Sequence, residues 1–175
     1  FAFGVSERGN DRVLADSLVT VTEVEGGFSY TGQKIFVSLS PVWTRLSLLG
    51  RLGDEIVHGF ITRDQEGWSN NPDWDTLGMR ATQSYTTQLD KAVVEHSRVA
   101  RRLPAGPNQD PFTVAIFQNF LLLVSSVYAG IADRALELTV AGATGKVSAL
   151  EDGASLSEDP DIRRQAASAA IALDA

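Results

Sequence analysis

The strongest constraint in this chain of 175 residues is that its periodicity changes once. Up to about Val94 it reads as short runs rich in β-branched and aromatic residues, cut by Gly, Pro and Asn turns. Beyond Phe112 a long stretch without proline sets Phe117, Phe120, Leu121, Val124, Val127, Tyr128 and Ile131 at helical spacing. The two patterns cannot share one element type. They predict an α+β chain whose first part is an antiparallel β-barrel or sandwich rather than a set of βαβ units.

The clearest unit is a hairpin, Leu18–Val24 and Phe28–Val37 around Glu25-Gly26-Gly27. Further strands are expected at Thr44–Arg51, Val57–Thr62 and Tyr85–Leu89. The segment from Arg101 to Pro111 is rich in Pro, Gly and polar residues and reads as a connection. The expected boundaries are residues 1–103 for the β-domain, 104–111 for the linker and 112–175 for the helices. A first helix spans Phe112 to about Ala143, a polar loop 148–157, and a second helix Asp159–Leu173, introduced by Asp159-Pro160.

With no cysteine, a disulfide framework, thiolate metal sites and a thiol nucleophile are all excluded. A formal charge of -7 argues against a phosphate-driven nucleic-acid partner, and none is expected. The apolar run Phe120–Ile131, broken by Ser125, Ser126 and Gly130, predicts no membrane span. The start on Phe1 and the stop without a helix terminator read as part of a longer chain. His58 and His96 are expected to be structural or surface residues. The glycine pairs at 26–27, 50–53 and 142–145 match neither dinucleotide nor phosphate-loop spacing, so the residues alone disclose no reaction. No catalytic residue and no metal site are assigned.

Three stretches, in order, resemble the acyl-CoA dehydrogenase superfamily. Phe1-Ala2-Phe3-Gly4-Val5-Ser6-Glu7-Arg8-Gly9-Asn10-Asp11 is similar to the family loop ending in Gly-Ser-Asp. Gly32-Gln33-Lys34-Ile35-Phe36-Val37-Ser38 resembles the strand Gly-x-Lys-x-Trp-Ile-Thr. Leu77-Gly78-Met79-Arg80-Ala81-Thr82-Gln83-Ser84 is close to Leu-Gly-Met-Arg-x-Thr-x-Ser. The resemblance implies the middle β-domain of the family and the first helices of its C-terminal up-and-down bundle.

It also implies FAD as cofactor, an acyl-CoA or related small-molecule substrate, a homodimer or homotetramer, and a cytoplasmic enzyme of fatty acid metabolism. Phe36 would pack on the isoalloxazine and Ser38 would hydrogen-bond near flavin N5. Phe1, Phe3, Gly4 and Val37 would line the cofactor, Asn10 would meet cofactor and substrate, and Lys146 would reach the pyrophosphate of a neighbouring subunit. Gly78 and Arg80 are expected to shape their loop.

The family reaction takes an α-proton onto a glutamate and passes hydride to the flavin. Phe120 stands where a minority of members carry that base, Leu121 where many carry an arginine, and Gly4 where a hydroxyl residue is usual. These departures admit a flavin-dependent monooxygenase or a non-catalytic assembly module as alternatives, and residues 1–175 alone are expected to be inactive.

Overall fold

A computed structural model describes residues 1–149 and 153–174 and divides the chain into two compact units, Phe1–Thr113 and Val114–Ala175. The first unit holds eight strands: β1 (Ala2–Gly4), β2 (Thr20–Val24), β3 (Gly27–Val37), β4 (Arg45–Leu52), β5 (Glu55–Thr62), β6 (Trp68–Asn71), β7 (Tyr85–Glu95) and β8 (Val99–Pro104). They form one sheet in the order β6-β7-β3-β2-β4-β5-β8, with β1 added beside β4. Most pairings are antiparallel, as expected, but β4 pairs in parallel with both β1 and β2.

The hairpin β2–β3 turns at Glu25-Gly26, where Gly26 takes a positive φ of 82° that its missing Cβ permits. Across the core β3 meets β5. The Tyr30 hydroxyl on β3 donates to the Val57 carbonyl on β5 at 2.9 Å, and Gly50 leaves room for the Tyr30 ring, which an added Cβ would meet at 3.0 Å. Val19, Val21, Tyr30, Leu46, Leu48, Val57, Ile61, Leu89 and Val94 fill the interior, with Trp43 packed on Trp68 at a centroid distance of 4.4 Å.

Three strands lie outside the expected set. β1 and β6 are too short to show alternation. β8 occupies Arg101–Leu103, which composition assigns to a connection. Its arginines are exposed on an edge strand, while Leu103, paired with Ile56, is buried. Long-range pairing with β5 decides this against local composition. β7 also runs six residues past Leu89, through an irregularity at Lys91, whose φ is 57°.

The helices are α1 (Pro111–Gly145) and α2 (Pro160–Asp174). Each begins at an aspartate followed by proline. Asp110 Oδ1 accepts from Phe112 N at 2.9 Å, and Asp159 Oδ1 accepts from Asp161 N at 2.7 Å. The polar loop expected over 148–157 falls partly outside the described residues, at 150–152. By length and composition α1 is long and apolar enough to cross a bilayer, contrary to the expectation from its interrupted apolar run. Ser125, Ser126 and Gly130 break that run without making the window polar; a helix packed in a bundle has the same composition.

Candidate functional site

The second resembling stretch forms the end of β3, and its register there is broken. Lys34 pairs with Thr87 and Val37 with Tyr85, so Ile35 and Phe36 together oppose the single residue Thr86. This is a β-bulge, and Phe36 takes a left-handed φ of 58° within it. A bulky residue in that region costs on the order of 1–3 kcal/mol and persists only where its surroundings over-determine it. The bulge presents the Phe36 ring outward, 58% exposed.

A buried ion pair lies on the inner side of the same strand. Lys34 Nζ donates to Glu7 Oε1 at 2.5 Å, and neither side chain is more than 2% exposed. Glu7 also accepts from Ser17 Oγ at 2.5 Å, Leu18 N at 2.6 Å and Asn10 Nδ2 at 2.8 Å. Burial works to raise the Glu7 pKa, but the Lys34 charge and the hydrogen bonds from Leu18 N, Lys34 and Ser17 outweigh it and hold the carboxyl low. Burial pulls Lys34 down to about 8 against the opposing pull of Glu7. The pair pins the loop after β1 to β3, and Ile35 N reinforces it by donating to Ser6 O at 2.9 Å.

The third resembling stretch lies beside the bulge. Leu39 N donates to Thr82 O at 2.8 Å and Ser40 N to Gln83 O at 3.3 Å. Trp74 meets Phe36 edge to face at 5.9 Å, and its Nε1 donates to Met79 O at 3.1 Å. Arg80 pairs with Asp75 at 3.3 Å, a contact internal to the loop. Phe36, Leu39, Met79 and Gln83 are four of the six described non-glycine residues with positive φ. Strain of this kind collects at ligand-binding surfaces. Phe36, Leu39, Leu77 and Met79 also leave an exposed apolar patch there.

Hydroxyls border that patch. Ser38 Oγ lies 2.8 Å from Ser84 Oγ, Ser84 Oγ lies 2.8 Å from Thr82 Oγ1, and Thr82 Oγ1 donates to Met79 O at 2.8 Å. An outward aromatic ring beside a serine hydroxyl can receive a flat heteroaromatic ligand, the ring against its face and the hydroxyl at its polar edge.

The structure thus brings Phe36, Val37 and Ser38 together with the loop that follows Gly4, but not all with the expected role. Val37 is fully buried in the core, so its side chain cannot line a cofactor. Gly4 is buried too: an added Cβ would meet Leu48 Cδ2 at 3.0 Å and Lys34 Cγ at 3.3 Å, so only its backbone could touch a ligand. Strand alternation explains Gly4, because Ala2 and Gly4 are buried while Phe1 and Phe3 are exposed; at Val37 the extra residue of the bulge turns the side chain inward. Phe1 lies against Phe60, with the Arg45 guanidinium over both rings.

Asn10 is committed to its own loop. Its Nδ2 donates to Glu7 Oε2 and, at 3.0 Å, to Asp16 O, while its Oδ1 accepts from Arg12 N at 2.8 Å. These three bonds hold the turn after Gly9. Lys146 belongs to the helical unit, just past α1, where its carbonyl accepts from Leu156 N at 3.0 Å. Phe120 and Leu121 are exposed on α1. His58 is buried, edge-on to Phe112, and burial, with a further push from the Lys34 charge, lowers its pKa to about 4.

Sequence reasoning passed over Glu7, Lys34, Trp74, Thr82 and Ser84. Four of them stand inside the resembling stretches, and Lys34 carried a usable signal: a charge in a strand needs a partner if its register turns it inward.

No family model matches the chain. Among curated proteins it is 28% identical over 142 residues to L-evernosamine nitrososynthase of a Micromonospora strain, covering 76% of this chain and 34% of that protein. To dibenzothiophene monooxygenase of Mycolicibacterium goodii it is 33% identical over 152 residues, covering 75% and 34%. The chain therefore spans about a third of the length of these relatives. Butyryl-CoA dehydrogenase of Megasphaera elsdenii superposes with a TM-score of 0.82 at 16% identity, over 99% of this chain and 45% of that one. FMN-bound TdsC of Paenibacillus sp. A11-2 superposes at 0.74 with 27% identity, over 99% and 46%. The likeness runs over the strands and both helices, and the chain has the acyl-CoA dehydrogenase fold.

Proposed function

We propose that this chain is the β-domain and first helices of a flavin-dependent oxidoreductase, and that the patch around Phe36 is where its flavin rests. The observation that carries this reading is the bulge of β3, which holds an aromatic ring outward in a costly conformation next to the Ser38 hydroxyl. The residues fit a flavin on two counts: an exposed ring can cover an isoalloxazine face, and a hydroxyl stands at its edge. When bound, a flavin supplies hydride or oxygen chemistry that no side chain here provides. Phe36 screens the ring face, Ser38 meets the polar edge, and the Glu7–Lys34 pair keeps both in register.

Oxygen insertion by reduced flavin is the reaction we favour. Named relatives that include a monooxygenase and a nitrososynthase support it, as does the FMN-bound neighbour at 27% identity. Phe120, at the position of an alternative base, has no proton-accepting atom. Dehydrogenation of an acyl-CoA thioester is the second reading, favoured by the fold's likeness to butyryl-CoA dehydrogenase. Either reaction is assigned to the intact protein, as a cytoplasmic homodimer or homotetramer acting on a small molecule.

The test is the flavin content of the intact protein and its two activities. Bound flavin, with an oxygenated product formed from an amine or thioether when reduced FMN and oxygen are supplied, supports the favoured reading. Reduction of an electron acceptor by acyl-CoA supports the second. Purification without flavin, and failure to take it up, overturns both. Phe36→Ala is expected to weaken flavin binding about tenfold or more, consistent with loss of an aromatic anchor.

A further inference from the structure

The hydroxyls beside Phe36 form a chain with a direction. Each has one proton to give. Thr82 Oγ1 gives its proton to Met79 O at 2.8 Å, a carbonyl that can only accept. In its 2.8 Å contact with Thr82, Ser84 must then be the donor. With the Ser84 proton spent, Ser38 must be the donor in its own 2.8 Å contact with Ser84. Ser84 is buried, so no water relieves the constraint at the middle of the chain. What Ser38 turns toward a ligand is lone pairs.

Reversing the chain is possible only by giving up the Thr82 bond to Met79 O. That carbonyl also accepts from Trp74 Nε1 at 3.1 Å and Thr82 N at 3.0 Å, and the Thr82 hydroxyl is the nearest of its three donors. A ligand that needs a donor from Ser38 therefore costs the protein about one hydrogen bond, close to fivefold in affinity. A ligand that brings its own N–H does not.

We propose that this chain of hydroxyls makes the site select reduced over oxidised flavin, with Ser38 as the contact and Ser84 and Thr82 as positioning residues. Reduced flavin carries an N–H at N5, where the oxidised ring has a bare, accepting nitrogen. The inference rests on the flavin reading above and adds the redox form to it. It accords with a reaction that begins from reduced flavin delivered from outside, and it assigns a function to the Thr-x-Ser end of the third stretch, Thr82-Gln83-Ser84.

The experiment measures, without oxygen, the dissociation constants of oxidised and of reduced FMN and FAD for the intact protein, and the midpoint potential of the bound flavin. The wild type should hold the reduced form more tightly. Thr82→Val, which keeps the shape but frees Ser84 to turn, should lower that preference about fivefold, or by about 20 mV for the two-electron couple. Ser38→Ala should lower it by a similar factor, and Thr82→Ser should restore the wild-type ratio.

Equal or tighter binding of the oxidised form by the wild type, with flavin still held, overturns the proposal and leaves the flavin reading standing. An unchanged ratio in both Thr82→Val and Ser38→Ala does the same. If the wild type takes up neither form, both readings fail.

Discussion

The two units of this chain use apolar residues in opposite ways. In the β unit, Val19, Tyr30, Val37, Leu46, Val57, Ile61, Leu89 and Val94 are buried against one another, and even a lysine is taken inside with its partner. In the helical unit no described residue is buried, and Phe117, Phe120, Leu121, Leu122, Leu123, Val127, Tyr128 and Ile131 stand exposed along α1. Both read as strongly patterned sequence, yet only one pattern is closed into a core. A hydrophobic pattern specifies which face wants covering; the stability comes from the cover.

That difference can be broken most sharply at Lys34. Lys34→Ala strands the Glu7 carboxylate in the interior, and the expected loss in the β unit is about 3–5 kcal/mol. The fluorescence of Trp43 and Trp68 during denaturant unfolding measures it, while the helical signal in far-ultraviolet circular dichroism is expected to persist. An equal loss in a helical-unit variant such as Leu122→Ala would contradict the contrast, since a residue already exposed should shift stability by no more than about 0.5 kcal/mol.

The pH dependence should also belong to the β unit. Burial lowers His58 to about 4 from 6.5, so the unfolded chain takes up a proton first as pH falls. His58 therefore contributes stability that is complete above about pH 6.5 and is lost as pH drops to about 4, on the order of 3 kcal/mol. Unfolding midpoints of the wild type and of His58→Leu across that window should diverge; parallel curves would refute the assignment.

Smaller effects are expected in the helices, because their ends and surface pairs face water. Asp159→Ala removes the acceptor for Asp161 N and should cost about 1 kcal/mol, read as lost helicity in α2. Arg134→Ala breaks an exposed pair with Glu137 at 2.7 Å and should change stability by only about 0.3 kcal/mol, or by nothing measurable at high salt.

The helices were legible because a proline after a capping aspartate and a 3.6-residue period are local signals, and α1 and α2 lie within two residues of the expected spans. The hairpin β2–β3 was legible for the same reason. β8 was not, because Arg101 and Arg102 become strand residues only through pairing with β5. At the site, Phe36 and Ser38 followed from the resembling motif, but the inward turn of Gly4 and Val37, and the use of Asn10 to hold its own loop, depended on register and on neighbours distant in sequence.

The sequence by itself determined the change from strands to helices, the order of the three stretches and hence the resemblance, since each is carried by residues close together along the chain. Tertiary structure alone decided the bulge that turns Phe36 outward, the Lys34–Glu7 pair and the direction of the Ser38–Ser84–Thr82 chain. Each depends on which side of a strand meets which loop or strand, and tertiary pairing sets that across 27 to 53 residues of sequence.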